Sequence, residues 1–372
     1  MKIRTITFNH AHNHGSMLQT YALQEFIKKI SRDINVDVDY KVIDYYTKMQ
    51  EDFYAVIKRG ISMKVIVKNL IALLNLHDLN VRHQRFNTFF DEYCNHMRRY
   101  FQVKDLENEI PEADVYISGS DQLWNVRALD FSSVYYLPFV KKGKRISYAA
   151  SFGPLKIDWK KYGEKTYKQF LSRYDAISTR ETGSADNVEF LTGVRPEVHV
   201  DPTFLLRKEE WREVQSNVNY NNGKYILLYC LEPSRLQLEM AEAISKKVGL
   251  PILVLRYNNK NDWFNHFVHR YDAGPREFLS YIDHAAMVLS SSFHGTAFSL
   301  IYQKPFYVFN GLNDNRISSI LKKTNLLDRS IESFSDVENV KLTQIDSKPV
   351  ESFIDSERLR SKEYLINAIG WK

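Results

Sequence analysis

The segment from Ala285 to Phe309 constrains the possible folds of this chain more than any other stretch. It reads as an apolar strand at Met287–Leu289, a polar turn at Ser290–Thr296, a helix of small residues and a second apolar strand. In open α/β proteins this order places the turn at the carboxyl edge of a parallel sheet, where ligands bind. A helix that begins there presents backbone N–H groups and a partial positive charge. The turn contains His294, so it predicts an anion site with a titratable group in it.

Length and composition predict a globular protein of two domains. A chain of 372 residues is too long for one ordinary hydrophobic core. Aromatic residues are frequent, with 23 Tyr and 22 Phe, so long disordered stretches are not expected. The formal net charge of +6 is mild, and the chain has no arginine-rich arm, zinc-finger spacing or aromatic-basic RNA motif. We therefore expect phosphorylated or carboxylated substrates, or an anionic membrane surface, rather than nucleic acid.

The cysteines and the N-terminus predict a cellular location. Cys94 and Cys230 are far apart and lack metal-ligand spacing, so we expect two reduced thiols. The N-terminus leads directly into a strand without a signal segment, and no uncharged apolar run approaches the roughly 20 residues that span a bilayer. These features predict a soluble, cytoplasmic protein, with a peripheral position at the inner face of the membrane as the alternative. The sequence carries no signal for an oligomeric state.

The order of the predicted elements indicates two Rossmann-like domains. A strand at Ile3–Phe8, a helix at Met17–Lys29 and a strand at Asp39–Tyr45 form a βαβ unit. We place the N-terminal domain at residues 1–205, a polar linker at residues 206–224, the C-terminal domain at residues 225–345 and a helical tail at residues 346–372. The simplest α/β architecture with this pattern has a cleft between two Rossmann-like halves.

An insertion interrupts the first of these domains at about residues 50–105. From Tyr54 to Phe101, apolar residues recur at helical spacing and basic residues are interleaved with them, which predicts two or three helices. A basic, solvated face over a packed stripe is the favoured interpretation of these helices. Docking of the helices to a membrane surface is the alternative.

Four stretches of the chain together resemble the polysaccharide pyruvyl transferase family. They are NHGSMLQTYALQ from Asn13, ISGSDQLWN from Ile117, STRE from Ser178 and SFHG from Ser292. The resemblance extends from about Ile3 to Phe309 in the expected order. It implies a GT-B-like fold, with two Rossmann-like domains and an interdomain active site. It also implies transfer of a pyruvyl group from phosphoenolpyruvate to two hydroxyls of a sugar, forming a cyclic ketal in bacterial surface or exopolysaccharide biosynthesis.

The resemblance implies phosphoenolpyruvate as co-substrate, no cofactor, and a sugar or lipid-linked glycan as acceptor. His10, His12 and His14 alternate in the sequence, but no carboxylate stands at a suitable spacing, so we expect no metal. Two other functions stay open. One is a GT-B-like glycosyltransferase that uses a nucleotide sugar, because a fold does not fix its chemistry. The other is a catalytically altered, carbohydrate-binding relative.

The donor site is expected around His294. In the better-studied members this motif resembles Ser-x-Arg-x-His, and its Arg and His contact the donor. Here His294 is retained, whereas Ser292 stands at the Arg position, so a substitute cation is required. We predict that His294 is the catalytic acid/base, because imidazole titrates near neutrality. The predicted donor-binding residues are Arg180, Arg256, Ser292, Gly295 and Thr296.

Each of these donor-site assignments has a structural alternative. His294 could be a histidine that is only hydrogen-bonded in the turn. Ser292 could be an ordinary helix N-cap. Arg180 follows a strand and carries over from the family motif as the carboxylate or phosphate clamp, but it could instead form an ion pair with Glu181 or another acid.

The acceptor side is expected on two loops of the first domain. Asp121 follows a strand and could deprotonate or orient the acceptor hydroxyl; its alternative role is to cap a short helix starting near Gln122. Gly15 permits close backbone approach, and Ser16 is expected to cap a helix beginning at Met17. We assign no chemistry to Asp201, which is expected to stiffen the entry to the linker. The predicted acceptor or loop residues are Asn13, His14, Gly15, Ser16, Ser120, Gln122 and Asn125.

Overall fold

The computed structural model describes residues 1–128, 130–153, 157, 161–255 and 266–371, and the chain divides into two units. The first unit comprises Met1–Val65, Asn87–Leu206 and Ser356–Lys372, and the second comprises Ile66–Phe86 and Arg207–Asp355. Each unit is built around a parallel sheet with helical connections, as the sequence pattern predicts.

The strands within the described residues are β1 (Lys2–Ile6), β2 (Asp39–Tyr45), β3 (His96–Tyr100), β4 (Val115–Ser118), β5 (Lys144–Ser147), β6 (Ser178–Thr179), β7 (Glu197–Val198), β8 (Ile226–Tyr229), β9 (Ile252–Val254), β10 (Val268–His269), β11 (Met287–Ser290), β12 (Phe306–Phe309) and β13 (Ser330–Ile331). The α-helices there are α1 (His14–Asp33), α2 (Lys48–Tyr54), α3 (Met63–Leu74), α4 (Leu76–Tyr93), α5 (Val103–Asn108), α6 (Glu164–Leu171), α7 (Thr182–Thr192), α8 (Lys208–Val214), α9 (Arg235–Val248), α10 (Pro275–His284), α11 (Phe293–Ile301), α12 (Asn315–Lys323) and α13 (Ser347–Ile369).

The sheet of the first unit has the strand order of a doubly wound fold. In the described part of the chain it runs β3-β2-β1-β4-β5, and all neighbours are parallel. β4 is buried at every position, which is typical of a central strand covered on both faces. Isolated bridges join Ile146 to Ala176 and Ala150 to Thr179, so β6 continues the sheet beyond β5.

The second unit repeats this pattern. Among its described residues the sheet order is β10-β9-β8-β11-β12-β13, again with parallel neighbours. Counted from β8, this is the doubly wound order 3-2-1-4-5-6. The strand–turn–helix–strand expected between Ala285 and Phe309 is present as β11, α11 and β12.

Two local predictions in the first unit are wrong. Residues His96–Tyr100 form the edge strand β3 rather than part of a helix. The strand was missed because its side chains are mostly polar and, except at Tyr100, partly or fully exposed, so the sequence has no alternation of apolar and polar residues. The first helix begins at His14 instead of Met17, because Asn13 is its N-cap and accepts a hydrogen bond from the Gly15 N–H.

The division into units differs from the sequence-based domains in three places. Residues Ile66–Phe86 of the inserted helices belong to the second unit. The segment expected to be a linker contains α8 and, from Arg207 onward, belongs to the same unit. From Ser356 onward, α13 belongs to the first unit, where the Tyr364 hydroxyl donates a hydrogen bond of 2.7 Å to the Ser147 carbonyl.

Candidate functional site

The turn after β4 places Asp121 at the carboxyl edge of the first sheet. β1, β4 and β5 end at this edge, because Ile6 pairs with Ser118 and Ser118 pairs with Ser147. Asp121 has a φ of +82°, a backbone conformation that costs energy for a residue other than glycine. Strain of this kind is found where the surrounding structure holds a functional group in place.

Neighbouring groups fix the Asp121 carboxylate from several directions. Its Oδ2 accepts a hydrogen bond of 2.6 Å from the Ser16 hydroxyl, and its Oδ1 accepts one of 2.8 Å from the Gln122 N–H. Nη1 of Arg180 lies 3.4 Å from the same Oδ1. Asp121 caps no helix in the described structure, so the capping alternative is wrong. The turn brings together residues from α1 and from the segments that follow β4 and β6.

Arg180 is the centre of a buried ion-pair cluster. Its Nη1 donates to Asp201 Oδ2 at 3.1 Å, and its Nε lies 3.5 Å from Glu181 Oε2. The arginine side chain is only 2% exposed. Burial opposes its charge, but the carboxylates of Asp121, Glu181 and Asp201 hold the pKa of the guanidinium above its ordinary value.

The charge of this cluster decides what it can bind. In the contacts described here, one guanidinium faces three carboxylates, an excess of negative charge that does not favour a phosphate. Its geometry instead suits hydroxyl groups, which a fixed carboxylate can orient or deprotonate. The structure therefore contains the ion pair that was the alternative role for Arg180, and this ion pair also joins Arg180 to Asp121.

The predicted acceptor loops have local roles as well. His14 is buried in the first turn of α1, whereas Ser16 reaches Asp121. Asn125 Nδ2 donates to Gln122 Oε1 at 2.7 Å, and both side chains cover Gly153. The Ser120 hydroxyl lies 3.3 Å from Asp201. Among the contacts described, Ser16 and Ser120 bond through their hydroxyls, and Gln122 through its backbone N–H, to carboxylates of the buried cluster.

The turn after β11 has a second set of predicted residues, in the second unit. Ser290 donates through its hydroxyl to the Tyr229 carbonyl at 2.8 Å and accepts the Ser292 N–H at 2.9 Å. The Thr296 hydroxyl donates to the Ser292 carbonyl at 3.0 Å, which closes the start of α11. Ser292 is the N-cap residue, but its side chain makes no capping bond. Of the two predicted hydroxyls, Thr296 is thus engaged with its own helix.

Gly295 allows the first turn of α11 to approach the end of β11. A Cβ at this position would overlap Ser290 Oγ and would lie 3.0 Å from Tyr229 Cδ1. A larger residue would therefore move the helix start away from the strand. The backbone N–H groups of that first turn point out of the helix at its N-terminus, in the arrangement that binds anions.

A cation lies beside the start of α11. His294 is 7% exposed and packs edge-on against Phe293, with ring centroids 5.3 Å apart. The guanidinium of Arg316, a residue of α12, lies over the Phe293 ring at 5.6 Å from its centroid. Arg316 Nε donates to Asp314 Oδ1 at 3.0 Å. Arg256, the predicted substitute cation, lies outside the described residues.

Comparison with known protein families gives one match over most of the chain. A model of the family described as polysaccharide pyruvyl transferase matches residues 13–313. The chain belongs to this family. The expected motifs from Asn13, Ile117, Ser178 and Ser292 all lie inside the matched range.

Solved structures resemble this pyruvyl transferase family member in fold. A UDP-N-acetylglucosamine 2-epimerase from Rickettsia bellii superimposes with a TM-score of 0.50 and 11% identity, covering 100% of both chains. A heptosyltransferase from E. coli gives a TM-score of 0.42 and 11% identity over 96% of this chain and 99% of that chain. The search of curated proteins gave no match. The predicted GT-B-like fold with two Rossmann-like domains is confirmed.

Two residues of these sites were not predicted from the sequence. Asp201 was assigned no chemistry, although it follows β7 at the same distance as Asp121 follows β4, and that shared position was the available signal. Arg316 had no sequence signal, because it lies beyond the matched range and meets Phe293 only through the packing of α12.

Proposed function

We propose that this protein transfers a pyruvyl group from phosphoenolpyruvate to two hydroxyls of a sugar in bacterial surface or exopolysaccharide biosynthesis. One observation carries the proposal: in each unit a titratable residue of a family motif stands just after a central strand. Asp121 follows β4, and His294 lies in the first turn of α11 after β11. Membership of the pyruvyl transferase family supplies the reaction class.

The reaction assigns a definite task to each kind of group. Two sugar hydroxyls form bonds to carbon 2 of phosphoenolpyruvate, and the bond from this carbon to the phosphate oxygen breaks. One hydroxyl proton ends on carbon 3, which becomes a methyl group, and the other leaves with inorganic phosphate. The site must therefore bind two anionic groups, protonate a carbon and accept hydroxyl protons.

The proposal assigns the donor to the start of α11. The helix N-terminus favours an anion, and His294 is proposed to move the proton to carbon 3. Ser292 provides no charge, so we assign the second cationic contact to Arg316, whose Nη1 makes no hydrogen bond among the described residues. Arg256 lies outside the described residues, so the proposal uses Arg316 in its place.

The proposal assigns the acceptor hydroxyl to Asp121. The carboxylate is held by Ser16 and Arg180, and it therefore needs no reorganisation before it accepts a proton. Arg180 is proposed as the positioning residue for Asp121 rather than as the phosphate clamp, because its charge is already balanced by three carboxylates. Ser120 supports the same cluster through Asp201.

A binding comparison and a turnover assay test this function. Phosphoenolpyruvate should raise the melting temperature of the protein, whereas UDP-N-acetylglucosamine should not, because only a bound ligand stabilises the native state. With a panel of sugars and lipid-linked glycans, phosphate release from phosphoenolpyruvate should require one class of acceptor and should be lost in His294→Ala. Stabilisation by the nucleotide sugar alone would favour a glycosyltransferase. Binding of glycans without phosphate release from any panel member would favour the catalytically altered relative.

A further inference from the structure

Helix α3 carries its apolar face on the outside of the protein. Six of its large apolar residues recur at spacings of three and four along the sequence, which places them on one side of a helix. These six are exposed, from 41% at Ile66 to 73% at Met63 and Leu74, whereas Val65 and Ile71 are half-buried. The members of this outward face are Met63, Ile66, Val67, Leu70, Leu73 and Leu74. The opposite side is the packed one, because Ala72 is 3% exposed.

This arrangement is the reverse of an ordinary surface helix. The apolar stripe of such a helix faces the core, and its polar residues face water. An apolar face of this size left in water marks a site of contact with another surface. The sequence alone favoured a packed stripe under a basic face, and for α3 the structure contradicts that interpretation.

The charged residues in the sequence around the outward face are all basic, and one of them, Arg59, lies 3.4 Å from Asp52, which precedes this stretch. The sequence from Phe53 to His77 contains Lys58, Arg59, Lys64 and Lys68 and neither aspartate nor glutamate. Lys64 and Lys68 are exposed on α3 and form no ion pair with the described residues. The surface that covers α3 should therefore have an apolar part that contacts the leucines and an anionic part that contacts the lysines.

A bilayer with anionic lipids has this combination. Amphipathic helices with lysines beside an apolar face lie in the plane of the headgroups, with the apolar side chains in the upper acyl region. The 12 residues of α3 extend over about 18 Å, which is shorter than the hydrocarbon core, and no helix in the described part of the chain is long and apolar enough to cross a membrane. A second copy of this chain fits less well, because a two-fold contact through α3 would bring Lys64 and Lys68 towards the same residues of the partner.

We propose that α3 is a membrane-surface helix that binds the face of a bilayer containing anionic phospholipid. Ile66, Leu70 and Leu73 enter the lipid, while Lys64 and Lys68 contact headgroup phosphates. The helix then holds the protein at the surface where a lipid-linked acceptor would be found. Membrane binding itself requires neither phosphoenolpyruvate nor turnover, so it is tested separately from the proposed reaction.

Vesicle sedimentation with the full chain tests the proposal. Wild-type protein should sediment with vesicles of phosphatidylglycerol and phosphatidylcholine and remain in the supernatant with pure phosphatidylcholine. Leu70→Glu/Leu73→Glu should weaken binding at least tenfold. Lys64→Gln/Lys68→Gln should weaken it about 30-fold, from about 1 kcal/mol for each lysine near an anionic surface. Added salt should weaken wild-type binding in the same way.

A matched control separates this effect from general surface change. Leu359 is an apolar residue, 59% exposed, on another helix, and Leu359→Glu should sediment as the wild type does. Both double variants replace exposed side chains, so their melting temperatures should stay within a few degrees of the wild type. The proposal is overturned if wild-type protein fails to bind anionic vesicles, or if the glutamate variant binds as well. A wild-type dimer that Leu70→Glu/Leu73→Glu converts to monomer would assign the face to a second copy instead.

Discussion

The hydroxyl of Ser16 donates a hydrogen bond of 2.6 Å to Asp121, although 105 residues separate the two in the sequence. Ser16 lies in the first turn of α1, and Asp121 lies in the turn after β4. The bond therefore links two motifs that were recognised separately, and it explains why Ser16 does not cap the helix. It also fixes the carboxylate to which we assign the acceptor hydroxyl.

Replacement of Asp121 by asparagine should remove turnover while the fold is retained. Asparagine tolerates the positive φ of this position and still accepts the Ser16 hydrogen bond, but it does not take a proton from a hydroxyl. We expect phosphate release to fall by at least about 100-fold. Ser16→Ala, which leaves the carboxylate but loosens it, should lower the rate less. Steady-state assays with unchanged circular dichroism test this, and wild-type activity in Asp121→Asn would contradict it.

Removal of the Arg180 charge should destabilise the protein at neutral pH. Arg180→Met leaves Asp121, Glu181 and Asp201 close together without their cation, which should cost about 3–5 kcal/mol of unfolding free energy. Part of this loss should return at pH 5, where carboxylates that repel one another are more easily protonated. Urea unfolding at both pH values measures it, and equal stability to the wild type at pH 7 would count against a stabilising cluster.

Kinetics of Arg180→Lys distinguish positioning from binding of the donor. A positioning role through Asp121 predicts a lower kcat with little change in the KM for phosphoenolpyruvate. A direct clamp on the donor predicts a higher KM, because lysine lacks the planar fork of arginine. The latter outcome would return Arg180 to the donor site.

Gly295→Ala should destabilise the second unit and weaken binding of phosphoenolpyruvate. The added Cβ would meet Ser290 and Tyr229, and overpacking of this kind typically costs about 1–3 kcal/mol. Removing the Ser290 hydroxyl relieves part of the overlap, so Gly295→Ala/Ser290→Ala should be more stable than the sum of the single variants predicts. Thermal unfolding of the four proteins of this cycle gives the coupling, and strict additivity would show that the two residues do not meet.

Acid should destabilise the first unit through His199. This side chain is buried, and burial together with the nearby Arg360 lowers its pKa to about 4, although Glu197 lies 3.2 Å from Nε2. In the unfolded chain the pKa is about 6.5, so between these values the unfolded state binds more protons. The unfolding free energy should fall as the pH decreases from about 6.5 towards 4, by at most about 3 kcal/mol, and should not depend on His199 above pH 7.

Two histidine variants separate this contribution from that of the carboxylates. His199→Gln should unfold with a flatter pH dependence between pH 7 and 5, whereas His77→Gln, at an exposed position, should follow the wild type. Chemical unfolding at several pH values measures the slopes. The same slope in His199→Gln and wild type would contradict the assignment.

The sequence predicted those elements whose position follows from the hydrophobic pattern and from the order of elements along the chain. β2 has the predicted bounds, and the turn that contains His294 follows a strand and begins a helix as expected. These features depend on neighbouring residues. β3 was missed because an edge strand with exposed arginines has no apolar alternation.

The sites could be predicted only in part, because their contacts join distant segments. A strand-end motif indicated Asp121, but nothing local indicated that Arg180 would reach both it and Asp201. The same limit applies to α3, whose apolar periodicity predicts a helix but does not say which face is packed. Burial and long-range pairing are properties of the folded chain.

Arg316→Gln should weaken binding of phosphoenolpyruvate by about 10- to 100-fold, the range expected for loss of a charge-assisted contact. Arg316→Lys should lie between this variant and the wild type, because a point charge replaces the planar fork. Calorimetric titration with phosphoenolpyruvate measures both. Lys322→Gln removes an exposed charge from the same helix and should bind normally.

Two double variants complete the test of Arg316. Arg316→Gln/Asp314→Asn also removes the carboxylate that pairs with the arginine, so weak binding in this variant cannot result from repulsion by Asp314. Ser292→Arg restores the arginine of the family motif, and in the Arg316→Gln background it should recover affinity by supplying a cation next to His294. Normal affinity in Arg316→Gln would show that the donor takes its second cation from another residue.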